Sequence, residues 1–113
     1  MQIRKTYKGL NPQVLYDDLK DFVLKQGTVL STNKLETYSM PEDSSTFIYR
    51  GTMTFKNAQS TKECAQVHIL GSDKSEIKLM MDVDETCLPK DKVTALQDDL
   101  DFVFGSYEQK PKS

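Results

Sequence analysis

Cys64, His68 and Cys87 are the residues of this chain best suited to chemistry, as its two cysteines and its one histidine. Residues of these types could hold zinc, or could set a thiol nucleophile beside a base. Spacing argues against both. Cys64 and His68 stand four apart in a segment that alternates apolar and polar, so they share one face of a strand about 13 Å apart at roughly 3.3 Å per residue. A zinc ion with bonds of about 2.0–2.3 Å does not span that gap. Nucleophilic catalysis needs the base within hydrogen-bond reach and a third group to orient it. An open sheet face also excludes no water and supplies no oxyanion hole. Cys87 is expected beyond the strand partner of Cys64, so neither a shared metal nor a disulfide is expected. Both cysteines read as ordinary thiols.

Asp82, Asp84 and Glu85 resemble a hard-cation loop only in composition. A calcium loop needs alternating oxygen ligands, a glycine at the sharp turn and a bidentate glutamate further on, and that order is missing. Asp84 to Thr86 instead read as the end of a strand that helps to cap the last helix. Gly9, Gly27, Gly51, Gly71 and Gly105 are isolated, which rules out a phosphate-cradling loop. Arg4, Lys5 and Lys8 surround Tyr7 and suggest nucleic-acid contact. A single-strand binder wants several exposed aromatics in a basic groove. Phe22, Phe47, Tyr49, Phe55 and Phe104 are expected on buried faces instead. No metal or other cofactor is expected.

Bulk properties narrow the class further. The 113 residues carry 15 basic and 17 acidic side chains, a formal net charge of -2, which argues against nucleic acid and anionic lipid as partners. No apolar run approaches the roughly 20 residues that span a bilayer, so no membrane insertion is expected. Met1-Gln2-Ile3-Arg4-Lys5 enters a strand pattern directly, without the apolar core of a secretory signal. These features, with the thiol reading, predict a soluble cytoplasmic protein. Apolar residues at 37% suffice for one core, expected over 1–107, with a flexible polar tail over 108–113.

The elements that must position these residues follow from hydrophobic period. Ile3, Lys5 and Tyr7 alternate with polar neighbours as a first short strand. Asn11 and Pro12 open a helix, Leu15, Leu19, Phe22 and Val23 give its apolar stripe, and Gly27 stops it, which places it at 12–26. Residues 28–38 read as a strand whose faces are ambiguous, with Val29 and Leu35 on one side and Leu30 and Tyr38 on the other. Residues 40–45 make a turn. Phe47, Tyr49, Gly51, Met53 and Phe55 then define the strongest strand, followed by Ala65, Val67 and Ile69. A hairpin loop at 71–75 leads to Ile77, Leu79, Met81 and Val83. A second helix is expected over 90–104, with Val93, Leu96, Leu100, Val103, Phe104 and Tyr107 as its stripe and Gly105 as its stop.

A one-residue slip would send a whole apolar set into water, so the alternation constrains the register. The expected pairs are Ile69 with Ile77, Val67 with Leu79 and Ala65 with Met81, and on the other side Tyr49 with Ile69, Gly51 with Val67 and Met53 with Ala65. The outward face then carries rows Arg50-His68-Lys78, Thr52-Gln66-Met80 and Thr54-Cys64-Asp82. Gly51, in mid-strand, predicts a bulge, a bend or the close approach of a helix.

The resulting fold class is α+β, a single β-α-β4-α domain with a curved, mostly antiparallel sheet and two helices on one face. This element order resembles the helix-grip and TATA-binding-protein-like architectures, in topology and over nearly the whole chain. In helix-grip proteins the space between sheet and helix often holds an apolar ligand. The bulky stripe of the second helix points instead to a filled core. The leading expectation is a non-catalytic binding or protein-interaction domain, potentially a homodimer, acting through an edge strand or through Arg50, Thr52, His68, Lys78, Met80 and Asp82 on the open sheet face. The competing expectation is a carrier of a small apolar molecule.

Overall fold

Asn11 and Pro12 start the first helix as their chemistry requires. The Asn11 carboxamide oxygen accepts from the Gln13 amide at 2.8 Å, and Pro12 occupies the first turn, where no hydrogen bond is lost. The helix, α1, spans Pro12–Leu24. Its end is closed by Gly27 at φ 91° and by the Thr28 hydroxyl, which donates to the Val23 carbonyl at 2.8 Å. Leu15, Tyr16, Leu19 and Val23 form the buried stripe. Phe22 packs only partly against the core, on the flank beside Phe104, rather than at its centre as expected.

The computed structural model describes residues 1–40, 42–72 and 74–109, without the side chains of Met40, Asp43, Ser44 and Ser45. Pro41 and Asp73, both read as turn residues, and the tail beyond Gln109 lie outside the described residues. Five strands, β1 (Gln2–Lys8), β2 (Thr28–Met40), β3 (Asp43–Asn57), β4 (Glu63–Ser72) and β5 (Glu76–Val83), form one antiparallel open sheet in the order β1-β5-β4-β3-β2. The second helix, α2, spans Lys90–Phe104 and packs with α1 on one face of that sheet. The chain is thus a single compact α+β domain in β-α-β4-α order. No described helix is long and apolar enough to cross a membrane.

The core lies between sheet and helices. Leu15, Leu19, Val23, Leu96 and Leu100 face Met53, Phe55, Val67, Ile69, Ile77, Leu79 and Met81, all buried. Strand alternation delivers the sheet side of this layer, because residues two apart share a face. Each expected register is displaced by two residues. Ile69 pairs with Leu79, Val67 with Met81 and Gly71 with Ile77; on the other side Gly51 pairs with Ile69, Met53 with Val67 and Phe55 with Ala65. Between β4 and β5 the connection is tighter than expected, since pairing continues to Gly71 and Ile77. A shift of two keeps every side chain on its own face, so the core set survives the error.

Two β-bulges account for the faces that alternation misplaced. In β2, pairing passes from Leu30–Phe55 to Thr32–Thr54, so Ser31 is an extra residue. Leu30 and Leu35 therefore face the core together, while Tyr38 and Val29 are exposed. In β4, pairing passes from Ala65–Phe55 to Glu63–Lys56, so Cys64 is the extra residue. It turns inward beside Ala65 and is 1% exposed.

At the C-terminal end, Val103 and Tyr107 are exposed rather than part of the stripe of α2, and Phe102 is 90% exposed. The α-helix ends at Phe104 with Gly105 as its C-cap, as expected, but without a left-handed residue. Gly105 has φ -58° and begins a 3-10 turn over Gly105–Tyr107. Beyond that turn the chain reaches the free edge of β1. Glu108 forms a bridge with Tyr7, and the Gln109 amide donates to the Thr6 carbonyl at 2.7 Å.

Candidate functional site

The inward turn of Cys64 changes the chemistry expected at that position. Its sulfur is bonded to that of Cys87, with the two Cα atoms 5.2 Å apart, well inside the range a disulfide accepts. The expectation of two free thiols is overturned, because the bulge moves Cys64 off the outward face and toward the loop after β5. Disulfides persist in oxidising surroundings, so the thiol argument for a cytosolic location falls with it. It also separates Cys64 from His68, which stays on the opposite side of the sheet.

Asp84 organises the same loop. Its carboxylate accepts from the Thr86 amide at 2.9 Å and the Thr86 hydroxyl at 2.6 Å, and lies 3.4 Å from the Lys62 ammonium. The Thr86 hydroxyl, the Thr86 amide and then Lys62 hold this carboxyl below the usual range. The Asp84 carbonyl accepts from the Cys87 and Leu88 amides. Asp84 therefore closes the loop that presents Cys87. It does not cap α2, whose first residue follows Pro89 without a side-chain cap.

On the outer sheet face, the corrected register gives three rows. Arg50, Leu70 and Lys78 stand in line with Thr6; Thr52, His68 and Met80 with Arg4; Thr54, Gln66 and Asp82 with Gln2. All six expected site residues lie on this face. His68 sits between Thr52 and Met80, not between Arg50 and Lys78. Arg50 stands one row away from His68, and Asp82 is tied to Gln2, whose amide nitrogen donates to it at 3.2 Å. The Gln2 amide oxygen in turn accepts from Arg4 Nε at 2.8 Å. Arg4 and Lys78 form no ion pair among the described residues.

Of the six expected site residues, His68, Lys78 and Met80 line a pocket of about 480 Å³ beside β1, together with Arg4, Leu70 and Gln109 among others, whereas Arg50, Thr52 and Asp82 lie outside its lining. Sequence reasoning missed Arg4, Leu70 and Gln109. The first belongs to β1, which was not placed against β5. Leu70 falls outside the expected outward rows because their register is two residues off. Gln109 was assigned to a free tail. The signal in the sequence is Leu70 itself, an aliphatic residue two beyond His68 on the outward, polar side of the β4 alternation, where it is 54% exposed.

The far wall of the pocket is held from below. Lys5 Nζ lies 3.1 Å from Glu108 and 3.2 Å from Asp101, joining β1, α2 and the last described residues. Burial pulls the Lys5 pKa down, but Glu108 and Asp101 outweigh it and the net shift is upward. Beside this cluster, burial and the same two carboxylates push the Tyr7 phenol well above its ordinary value. Its buried hydroxyl has no hydrogen-bond partner among the described residues.

The space between helices and sheet is occupied by side chains. At its β3 end the ring of Tyr16 lies directly over Gly51, and the Tyr16 hydroxyl donates to the Thr52 carbonyl at 3.3 Å. Gly51 thus marks the close approach of a helix, one of the three meanings its position allowed. The free edges of the sheet differ in kind. β1 is partly covered by Glu108 and Gln109, whereas β2 carries a bulge and Lys34, devices that discourage edge pairing.

No family model, curated protein or solved structure matches this chain. Its functional reading rests on its own residues.

Proposed function

We propose that this protein is a non-catalytic binding domain that works through the outer face of its sheet. The supporting observation is the division of labour across the sheet. The inner face and both helices build the core, while Arg50, Thr52, His68, Lys78, Met80 and Asp82 project from the outer face without contributing to it. The bulky side chains buried between helices and sheet favour this outer surface over an internal apolar ligand site. Met80 is its most diagnostic residue, a half-buried apolar side chain among polar ones. Methionine suits adaptable contact surfaces.

Sedimentation of wild type and of Met80→Glu across a concentration series tests the homodimeric form of this reading. A wild type that self-associates, and a folded variant that does so less, supports it. A wild type that stays monomeric throughout removes the homodimer. A variant that fails to fold shows the outer face to be structural and defeats the reading as a whole.

A further inference from the structure

We propose that the pocket beside β1 is a binding site for a carboxylate joined to an apolar body. The proposal deepens the binding-face reading and rests on it. Four features of the pocket converge on this chemistry.

The first is size, because about 480 Å³ falls within the range of small-molecule sites. The second is charge. Arg4, Lys5 and Lys78 against Glu108 leave two net positive charges in the lining, on a protein whose formal net charge is -2. Lys5 and Glu108 neutralise each other at 3.1 Å, so the unspent charge belongs to Arg4 and Lys78. The Arg4 guanidinium is oriented through its Nε bond to Gln2, which leaves its terminal nitrogens for an anion. A guanidinium fork matches a carboxylate in two parallel hydrogen bonds.

The third feature is the apolar floor. Leu70 and Met80 lie on adjacent strands within the same lining, and neither belongs to the core cluster. A simple inorganic anion would leave them uncovered, whereas an alkyl chain or ring would cover both. The fourth is the wall. Gln109 is zipped to Thr6 and Glu108 to Lys5, so the C-terminal segment converts an open sheet face into a recess. His68 contributes a further hydrogen-bonding group on the side away from β1.

A free organic acid and the C-terminal carboxylate of a peptide share this chemistry, and the experiment separates them. Wild-type protein is titrated with octanoate, with octanol, and with acetyl-Phe-Leu as free acid and as amide, while the NMR signals of the Met80 and Leu35 methyls and of the His68 and Tyr16 rings are followed. Saturable shifts with octanoate but not octanol support the proposal with a small organic acid as ligand. Shifts with the peptide acid but not its amide or octanoate support it with a polypeptide terminus. An Arg4→Gln/Lys78→Gln variant should weaken the responding acid at least tenfold, and a Lys90→Gln control should leave it unchanged. Equal binding of acid and neutral analogue overturns the proposal, as do shifts confined to Tyr16 and Leu35, or no binding at all. If no acid binds but Met80→Glu still weakens self-association, the ligand class fails and the binding face stands.

Discussion

Tyr16 occupies the space that a side chain at Gly51 would need. A Cβ built on Gly51 would stand 2.6 Å from Cδ2 and 2.8 Å from Cε2 of the Tyr16 ring, with a Leu35 methyl at 3.3 Å. Tyr16 is buried and donates to the Thr52 carbonyl, so the ring has little freedom to retreat. Gly51→Ala is therefore expected to destabilise by about 1–3 kcal/mol through overpacking. Coupling it to Tyr16→Leu should recover part of that loss, giving a non-additive cycle in denaturant melts. Additive costs would mean that the two residues do not compete for one space.

The disulfide makes a second expectation. Cys64 and Cys87 are 23 residues apart in sequence, and closing a loop of that length stabilises by about 3 kcal/mol in the chain-entropy account. Reduction should lower the denaturation midpoint accordingly. Native, unreduced protein should show no reactive thiol even after unfolding. Two titratable thiols in protein prepared under oxidising conditions would show that the bond does not form.

Much of the architecture was legible because it depends on period. The stripe Leu15, Leu19 and Val23 and the alternation Ala65, Val67 and Ile69 each place their residues without reference to partners. What failed depends on single residues that break the period. One extra residue at Cys64 exchanged an outward thiol for an inward one bonded to Cys87, and one at Ser31 put Leu30 and Leu35 on the same face. A bulge costs one residue and has no composition of its own, so the alternation does not announce it. The pocket was partly legible for a similar reason. His68, Lys78 and Met80 fell on the correct face, since a two-residue register error preserves faces. Arg4 and Gln109 came from tertiary placement at the sheet edge, which local pattern does not encode.

Tyr7 offers a test of the balance between packing and polarity. Its ring meets Phe104 edge-on, with centroids 6.2 Å apart and planes at 69°. Its buried hydroxyl has no hydrogen-bond partner among the described residues. Leaving a buried polar group unpaired costs about 1–3 kcal/mol. Tyr7→Phe keeps the ring contact and removes the unpaired group, so it should be neutral or stabilising by up to about 1 kcal/mol. Tyr7→Ala should destabilise by about 3–5 kcal/mol. A clear loss of stability in the phenylalanine variant would mean that the hydroxyl has a partner in solution.

Asp84 sets the acid response of the loop that holds Cys87. Hydrogen bonds from Thr86, and then the Lys62 charge, keep its carboxyl below the usual range in the folded protein. The folded form thus binds fewer protons at this site than the unfolded chain, in which an aspartate titrates near about 3.9. The associated stability is fully present above that value and is lost as pH falls through the depressed folded value. Asp84→Asn keeps an acceptor for the Thr86 amide but removes the charge. The difference in melting temperature between wild type and variant should therefore shrink steadily from pH 5 to pH 2. Because the group is exposed to solvent, added salt should reduce the Lys62 part of the difference but not the Thr86 part. Thermal melts of both proteins across that pH range provide the measurement, with Glu36→Gln as a second variant. Glu36 is also held low, mainly by the Tyr38 hydroxyl, but it lies on β2, away from the disulfide loop. A wild-type advantage over Asp84→Asn that stays constant down to pH 2 would mean that the Asp84 carboxyl is not titrating with folding.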